Sequence, residues 1–464
     1  FTGGKVVSRI GNGYTQDEGY ADSTCYVNNA CASFTNDFNT RDHTDLKQKN
    51  KDRFGFGVTL NHEGSLLAVG RVNDDGKNDD INNVGAVNLF KFMDAGSIVS
   101  AATGKATYVG TIGYGYDYLD TSDTSEHSVT HEQNDLFGRS VAFDKDASHL
   151  AVGFNDKSSP GSKGKPGAVH LYTLTADLAS ATLVATVGDG YTGDKDVNLS
   201  DYMDNKDIFG TGVDLNETGS RLVMSSVHAD GSGNSKANSG EVMFVKFNNS
   251  NLTNGQYSGI VGSGYTGAGG ILLDIDPQLD NNDQFGRGIS LDRDGNRMAV
   301  TSTRDDGDDN SLAKTDAGAV YLFTFDDTNF SNPTLTGRIG KGYTGTNDLD
   351  LGADYKKEDR AWRVALDGDG DRLAFSQYRA TSDGVDSGSV YLVTFDDTNF
   401  TNPEHVGTIG KSYSSKSSDL SINNLGAGDI FTTVALTDDG SRLVVGAQKD
   451  DGNGDSNTDT GAVY

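Results

Sequence analysis

Apolar and polar positions alternate in short blocks along this chain, and the stretch from Asp283 to Gly345 shows the pattern in full. Asp294-Gly295 within it is a strong signal for a β-hairpin turn. One of its segments, Ala319–Phe325, is apolar at successive positions, so both faces of the sheet must be covered by other parts of the chain. Segments rich in β-branched and aromatic residues, bounded by Gly, Asp or Asn, predict four β-strands: Phe285–Leu291, Arg297–Thr303, Ala319–Phe325 and Leu335–Gly340.

The same unit recurs six times, with first strands starting at positions 54, 137, 209, 285, 361 and 431. The distance between successive starts suits a four-stranded blade. Radial stacking of blades covers both faces of each sheet. We therefore predict an all-β protein, a single six-bladed β-propeller of four-stranded antiparallel blades over residues 1–464. The blades are expected to start near Asp52, Asp135, Asp207, Asp283, Asp359 and Asp429.

The two ends of the chain are predicted to share one blade. Residues 1–15 align without a gap to Phe330–Thr344, which hold the fourth strand and closing turn of the fourth unit. The sixth unit stops at Tyr464, before any fourth strand. We expect residues 1–15 to supply the closing strand of blade six. The counterpart of Leu322–Asn329 is absent between Tyr464 and Phe1, so an excerpt of a longer repeat protein is the alternative.

A polar insertion, residues 16–51, interrupts the repeat and carries the two cysteines of the chain, Cys25 and Cys31. Their spacing and surroundings resemble neither a zinc site nor a redox motif. We predict a disulfide between them. A disulfide requires an oxidising compartment, so the expected location is extracellular or at the cell surface.

Composition narrows the range of partners. Asp and Glu number 67 against 38 Lys and Arg, and the resulting net charge of −29 repels phosphate backbones and anionic membranes. Gly is frequent, with 60 residues, and Pro is scarce, with 5, which fits tight turns that join short strands. No apolar run approaches the roughly 18 residues that span a bilayer. Neither nucleic-acid binding nor direct membrane insertion is expected.

The recurring words FG-x-[SG]-V-x-L, D-G-x-R-L-A-V-G and G-A-V-Y-L-F resemble the FG-GAP repeat, the blade unit of integrin α-chain propellers and of many secreted microbial surface proteins. The resemblance covers the chain except residues 16–51. It implies an extracellular propeller that binds proteins or glycans and often carries calcium. That family places its calcium loop between the first and second strands, where this chain has only short turns such as Asp292-Arg293-Asp294-Gly295. Calcium is therefore not transferred to those turns.

The acidic loops between the second and third strands are better calcium candidates, because Asp, Asn and Gly together supply several hard oxygen ligands in one loop. None of them reproduces the twelve-residue EF-hand. Calcium is the one cofactor that the sequence suggests, and a solvated loop with Asx turns is the alternative. The candidate ligands are Asp74, Asp75, Asp79, Asp305, Asp306, Asp308, Asp450, Asp451 and Asp455.

Two further features recur with the repeat. One Asp precedes each first strand by two residues, and this fixed offset predicts a backbone cap where one blade leads into the next. A ring of six carboxylates around a channel is the alternative. No helix follows the Gly-x-Gly-Tyr-Thr motifs, and they lack the Lys of a phosphate-binding loop. We therefore predict that they are tight turns with a packed Tyr.

Catalysis finds little support, because the eight His residues are scattered and none recurs with the repeat. We predict that the protein is not an enzyme but an extracellular binding or structural module for adhesion or surface assembly. Propeller loops would hold a protein or glycan ligand, with residues 16–51 and Asp117–Asn134 as first candidates since they break the repeat. Self-assembly, as a link in a filament or sheath, is a variant of this prediction. The alternative is a propeller enzyme acting on polysaccharides, a lyase or a glycosidase.

Overall fold

The computed structural model describes residues 1, 4–12, 14, 38–40, 46, 49–92, 106–116, 119–120, 131–176, 178–266, 271–308, 316–352, 355–356, 358–382, 385–422, 425–426, 428–452 and 458–464. Cys25, Cys31 and Asp455 lie outside these residues, so the disulfide and that calcium ligand stay predictions. Most of the insertion 16–51 and of the extension 117–134 also lies outside them.

The described residues form short β-strands and almost no helix. A 3₁₀ turn covers Ser232–Asn234, and no helix in the described part of the chain is long and apolar enough to cross a membrane. In chain order the strands are β1 (Ile10–Gly11), β2 (Phe38–Asn39), β3 (Phe54–Leu60), β4 (Leu66–Arg71), β5 (Ala86–Phe92), β6 (Ala106–Gly113), β7 (Leu119–Asp120), β8 (Ser140–Phe143), β9 (His149–Phe154), β10 (Ala168–Leu174), β11 (Ala181–Gly188), β12 (Val197–Asn198), β13 (Phe209–Leu215), β14 (Arg221–Ser226), β15 (Glu241–Lys246), β16 (Gln256–Gly262), β17 (Ile271–Asp274), β18 (Phe285–Leu291), β19 (Arg297–Ser302), β20 (Ala319–Thr324), β21 (Thr334–Gly340), β22 (Leu349–Asp350), β23 (Ala361–Leu366), β24 (Arg372–Gln377), β25 (Thr381–Ser382), β26 (Val385–Asp386), β27 (Ser389–Thr394), β28 (Glu404–Gly410), β29 (Leu420–Ser421), β30 (Phe431–Leu436), β31 (Leu443–Ala447) and β32 (Ala462–Val463).

Within the described residues these strands build six blades, each a five-stranded sheet. The sheets run β3 to β7, β8 to β12, β13 to β17 and β18 to β22, then β23-β24-β27-β28-β29 and finally β30-β31-β32-β1-β2. The first strands contact one another in a closed cycle, β3, β8, β13, β18, β23, β30 and back to β3. The predicted all-β, six-bladed propeller is therefore confirmed. A small hairpin of β25 and β26 is added beside blade five.

Each blade has a fifth strand that the sequence analysis did not predict. It follows the closing turn and pairs in parallel with the fourth strand, as Val187 does with Val197 in blade two. Most of these strands have only two residues, too few to show any periodic pattern. In blade six the fifth strand is Phe38–Asn39, so part of the predicted insertion belongs to a blade. The added strand covers the outer edge of each sheet.

The N-terminal stretch completes the last blade, as predicted. Strand β1 pairs antiparallel with β32, with Ile10 opposite Val463 and Gly11 opposite Ala462. Because the fourth strand of blade six comes from the other end of the chain, unfolding of either end removes backbone hydrogen bonds from the same sheet.

The third strands are buried on both faces, as their continuous apolar pattern predicted. In β20, five of six residues are buried. Phe285 and Tyr321 of blade four pack in one cluster with Val242 and Phe244 of blade three, so neighbouring blades share each layer of the core. This sharing is why a single blade could not bury its own sheet.

A glycine before the third strand of each blade lies against the first strand of the next blade. Three of these contacts form parallel bridges, Gly85 to Phe137, Gly167 to Phe209 and Gly240 to Phe285. Gly240 has a φ of +86°, and a Cβ at that position would lie 2.1 Å from the Phe285 carbonyl oxygen. Only glycine meets both requirements, the left-handed conformation and the close approach of two backbones.

The recurrent Asp before each first strand caps a turn, which confirms the predicted backbone role. The carboxylate of Asp52 accepts a hydrogen bond from the backbone N–H of Lys49 at 2.8 Å, and Asp283 does the same with Asp280 at 2.7 Å. The same bond, from the residue three positions earlier, recurs in the other blades at Asp135, Asp207, Asp359 and Asp429.

Candidate functional site

The six first strands line a central channel with an apolar waist. One β-branched aliphatic side chain from each strand forms this waist: Val58, Val141, Val213, Ile289, Val364 and Val434. All six side chains of the waist are apolar, so the polar side chains that line the channel lie at its two ends. We call the end at the turns between first and second strands the hairpin mouth. The end where Arg139, Arg287 and Arg363 lie is the arginine mouth.

Backbone hydrogen bonds between neighbouring blades close the hairpin mouth into a ring. One turn residue per blade donates its N–H to the carbonyl oxygen of the corresponding residue in the next blade, at 2.9 to 3.3 Å. The order around the ring is His62, Lys145, Glu217, Arg293, Gly368, Asp438 and again His62. The return to the starting residue shows that the six blades form a closed ring.

Charged side chains of the hairpin mouth pair with one another. Lys145 and Glu217 form an ion pair at 2.5 Å, and Asp438 accepts from Arg293 at 2.7 Å. Gly368 stands between the last two, and a Cβ there would lie 1.7 Å from the Asp438 carboxylate. The missing side chain thus lets Arg293 of blade four reach blade six.

Arg363 closes the channel near the waist, on the side of the arginine mouth. Its guanidinium donates to the backbone carbonyl oxygens of Thr211 at 2.7 Å, Arg139 at 2.9 Å and also Arg287. These carbonyls belong to blades two, three and four, whereas Arg363 belongs to blade five. One side chain therefore spans the channel and links four blades.

Arg139 and Arg287 line the same mouth and stack on aromatic rings. The Arg139 guanidinium lies 4.3 Å from the Phe56 ring centre, and that of Arg287 lies 4.5 Å from the Trp362 ring centre. Arg287 and Arg363 are only 8% and 6% exposed. The buried Nε atoms of Arg139 and Arg287 have no hydrogen-bond partner in the described part of the chain.

Burial and repulsion from nearby arginines lower the pKa of all three arginines. Burial is the larger cause, and neighbouring arginines are the next, so the pKa of Arg363 falls to about 9 and that of Arg287 to about 10. The pKa of Arg139 also lies well below its usual range. No carboxylate of the described residues forms an ion pair with any of them. The mouth therefore holds concentrated positive charge that an anion would relieve.

Sequence reasoning missed these arginines, although a signal exists. They occupy the third position of Phe137-Gly138-Arg139, Phe285-Gly286-Arg287 and Ala361-Trp362-Arg363, the opening words of units two, four and five. A charged residue at a place where other units carry Phe or Thr is a departure from the repeat, and departures mark candidate sites on a regular scaffold.

In three of the predicted calcium loops the first Asp is buried and accepts hydrogen bonds from tyrosine hydroxyls. Asp305 accepts hydrogen bonds from the hydroxyls of Tyr321 at 2.6 Å and Tyr343 at 2.5 Å, and from the Gly307 N–H at 2.8 Å. Tyr343 is the Tyr of a Gly-x-Gly-Tyr-Thr turn. We call this arrangement the acid–tyrosine clasp. It ties the acidic loop to the turn after the fourth strand.

The clasp recurs in blades one and six. Asp74 accepts from the hydroxyl of Tyr116 at 2.9 Å. Asp450 accepts from Tyr14 at 2.9 Å and from Tyr464 at 2.6 Å, so it joins the two ends of the chain in blade six. The predicted packed Tyr of the closing turn is confirmed in these blades, and its partner is the acid that sequence reasoning assigned to calcium.

Blade three keeps the clasp, but its acid lies on the third strand instead of in the acidic loop. Ala229 stands where blade four has Asp305, and Glu241 stands where blade four has Ala319. The Tyr265 hydroxyl donates to the Glu241 carboxylate, which is 1% exposed. Sequence reasoning missed Glu241; its signal was Gly-Glu-Val-Met in place of Gly-Ala-Val-Tyr.

The other candidate calcium ligands among the described residues bond within the chain. The second Asp of each loop accepts a backbone N–H across the loop: Asp75 from Asn83 at 2.8 Å, Asp306 from Asp316 at 2.7 Å and Asp451 from Asp459 at 2.7 Å. Asp79 pairs with Lys49, and Asp308 lies 3.4 Å from Arg338. Within the described residues no three acidic, His or Cys side chains converge as a metal site would require. Calcium at these loops stays a prediction.

Several buried carboxyl groups have a raised pKa, and from this we predict that the free energy of unfolding falls as the pH rises. Burial is the main cause that raises the pKa of Glu241 and Asp283 to about 8 and that of Asp52 to about 7. An unfolded carboxyl titrates near pH 4, so between about pH 4 and 8 the folded state binds more protons. The stabilising effect is complete below about pH 4 and is lost as pH passes through 7 to 8. We expect the free energy of unfolding to drop by about 2 kcal/mol or more from pH 5 to pH 8.

Denaturant titrations at the two pH values measure this drop, and Glu241→Gln should reduce it because the amide does not titrate. Equal stability at pH 5 and pH 8 would contradict the assignment of buried, protonated carboxyls.

Comparisons with known proteins identify no family for this chain. No protein-family profile matches the chain, and no curated protein matches it. Similar solved structures include the WD40 repeats of RRP9, at 10% identity over 90% of this chain and 95% of that chain, with a TM-score of 0.43. A periplasmic gluconolactonase of Pseudomonas aeruginosa matches at 14% identity over 85% and 78%, with a TM-score of 0.41. A protein named as a candidate 6-phosphogluconolactonase of Bacteroides fragilis matches at 11% identity over 85% and 77%, with a TM-score of 0.39.

The comparisons contradict the prediction that the protein is not an enzyme, since two of these propellers are named as lactonases, but at this level of likeness they assign no activity to the chain. The FG-GAP and integrin-like type stays a prediction, since no family match supports it. The geometry of the chain itself shows a six-bladed β-propeller.

Proposed function

We propose that the protein is an extracellular binding propeller whose arginine mouth holds an acidic group of its ligand. The observation that carries this proposal is the convergence of Arg139, Arg287 and Arg363 on one end of the channel without a carboxylate partner among the described residues. A guanidinium binds carboxylate or phosphate through two parallel hydrogen bonds, and Nε is one of the donors used.

The surroundings favour a ligand with isolated negative charge. The backbone N–H of Arg304 bonds to the Asp283 carbonyl oxygen at 3.0 Å, and Asn73 bonds to Asp52 in the same way, so the acidic loops start beside the arginine mouth. A polyanion would be repelled by these loops and by the net charge of −29. A mostly neutral glycan that carries single carboxylated sugars fits this pattern. Adhesion or surface assembly through such glycans is the biological role that we propose.

Calorimetric titration tests the proposal with oligosaccharides that contain glucuronate, with the neutral oligosaccharide of the same length, and with inorganic phosphate. We expect the acidic oligosaccharide to bind and the neutral one to bind at least tenfold more weakly, the discrimination expected for a charged hydrogen-bonding group. Tighter binding of phosphate than of glucuronate would assign the mouth to phosphorylated ligands and overturn the glycan assignment.

Arg287→Met should abolish this binding and leave the protein equally stable or more stable, because it removes a buried charge that has no counter-ion among the described residues. Arg338→Met is the matched control, since Arg338 already pairs with Asp348 at 3.0 Å on a fourth strand, away from the channel. Its expected effects are unchanged binding and a slightly lower melting temperature. Unchanged affinity in Arg287→Met would contradict the proposed site.

A further inference from the structure

Asp214 differs from its counterparts around the channel. The residue after each waist position is Thr59, Ala142, Asp214, Ser290, Ala365 or Ala435, so blade three alone places a carboxyl group there. Its Oδ2 accepts the Leu291 N–H of blade four at 2.7 Å, and its Oδ1 accepts the Leu215 N–H at 2.8 Å. A carboxylate has about four acceptor sites, so two remain.

The position of Asp214 does not require a charge. Ser290 makes the equivalent bond between blades, accepting the Leu366 N–H at 3.0 Å, and Thr59 accepts the Phe143 N–H at 3.2 Å. A hydroxyl therefore suffices as the cap, and burial penalises a carboxylate, raising the pKa of Asp214 to about 7. The negative charge of the carboxyl group is therefore not explained by its role as a cap.

Asp214 lines the cavity of about 150 Å³ at the hairpin mouth. The other acids that line this cavity have cationic or His partners: Asp144 with His149, Glu217 with Lys145, Asp292 with Arg297, Asp367 with Arg372 and Asp438 with Arg293. Within the described residues Asp214 has no ion pair. The cavity is therefore apolar at the waist, and the charges at its rim are paired. Between the waist and the rim, Asp214 is the one lining acid without an ion pair among the described residues.

We propose that this cavity is a second ligand site, which takes a compact organic ammonium ion with its cationic group on Asp214 and its apolar body against the waist. A cavity of this size holds a molecule about as large as benzene. The waist and Arg363 separate it from the arginine mouth, so one channel would bind ligands of opposite charge at its two ends.

Titration of the whole chain with n-butylammonium, followed by calorimetry or ligand-observed NMR, tests this site, and n-butanol serves as the neutral probe of equal length. We expect n-butylammonium to bind more tightly than n-butanol. Asp214→Asn keeps an oxygen for the Leu291 N–H and gives up only the bond from the Leu215 N–H, so the fold should be retained with a modest loss of stability. It should weaken n-butylammonium at least tenfold, the loss of one charge-assisted hydrogen bond, and leave n-butanol unchanged.

Ala365→Leu provides the second variant, because Ala365 lines the cavity from blade five and a larger side chain there reduces the space for either probe. It should weaken both probes. Equal affinity of n-butylammonium for the wild type and Asp214→Asn, or no binding to the wild type, would overturn the proposal. Because Arg287 lies at the other mouth, Arg287→Met should leave n-butylammonium binding unchanged, which keeps the two sites distinguishable.

Discussion

Gly240→Ala is expected to lower the free energy of unfolding by about 2 to 5 kcal/mol. The left-handed backbone costs about 1 to 2 kcal/mol for a residue with a Cβ. The added methyl group would also lie 2.1 Å from the Phe285 carbonyl oxygen and 2.6 Å from its nitrogen, so the junction of blades three and four must open. Overpacking of that kind adds about 1 to 3 kcal/mol. Denaturant titration and thermal melting measure the loss.

Gly233→Ala separates the two causes. Gly233 also has a positive φ, +66°, but a Cβ there would have nothing within 4 Å. Only the conformational cost applies, and we expect a loss of about 1 to 2 kcal/mol. If the two variants lost the same stability, the close contact between blades would not be what demands glycine before the third strands.

Asp305→Ala is expected to cost about 3 to 5 kcal/mol. The substitution leaves the buried hydroxyls of Tyr321 and Tyr343 and the Gly307 N–H without their acceptor. Each unsatisfied buried group costs about 1 to 3 kcal/mol. Tyr321 also donates to the Gln278 carbonyl oxygen, so its loss is partial and the total stays below the simple sum. Thermal melting of the variant measures the change.

Blade three provides the rescue for this variant. Adding Ala319→Glu to Asp305→Ala reproduces the pair Ala229 and Glu241, which serves Tyr265 in the neighbouring blade. We expect the double variant to recover at least half of the lost stability. Asp308→Ala is the control, since Asp308 is an exposed acid of the same loop. A loss in the control as large as that of Asp305→Ala would mean that the loop needs negative charge, for example for calcium, and not the clasp.

The sequence by itself determined the repeat, the strands and the shared sixth blade. Strand segments such as Ala319–Phe325 are long enough to show their apolar pattern, and the Asp before each first strand recurs at a fixed offset because each blade needs the same turn cap. The two-residue fifth strands were not predictable, since a segment such as Val197–Asn198 has no periodicity and forms only against a finished fourth strand.

The tertiary structure alone decided the chemistry of the channel and of the clasps. Arg139, Arg287 and Arg363 are far apart in sequence and meet only because radial stacking brings the same strand position of every blade to one axis. Asp305 looks like a metal ligand in sequence, yet it turns inward to Tyr321 and Tyr343 because folding brings those hydroxyls beside it. Local patterns report the strand and turn that a segment forms. Which side chains share a mouth or a buried hydrogen bond depends on the closure of the ring.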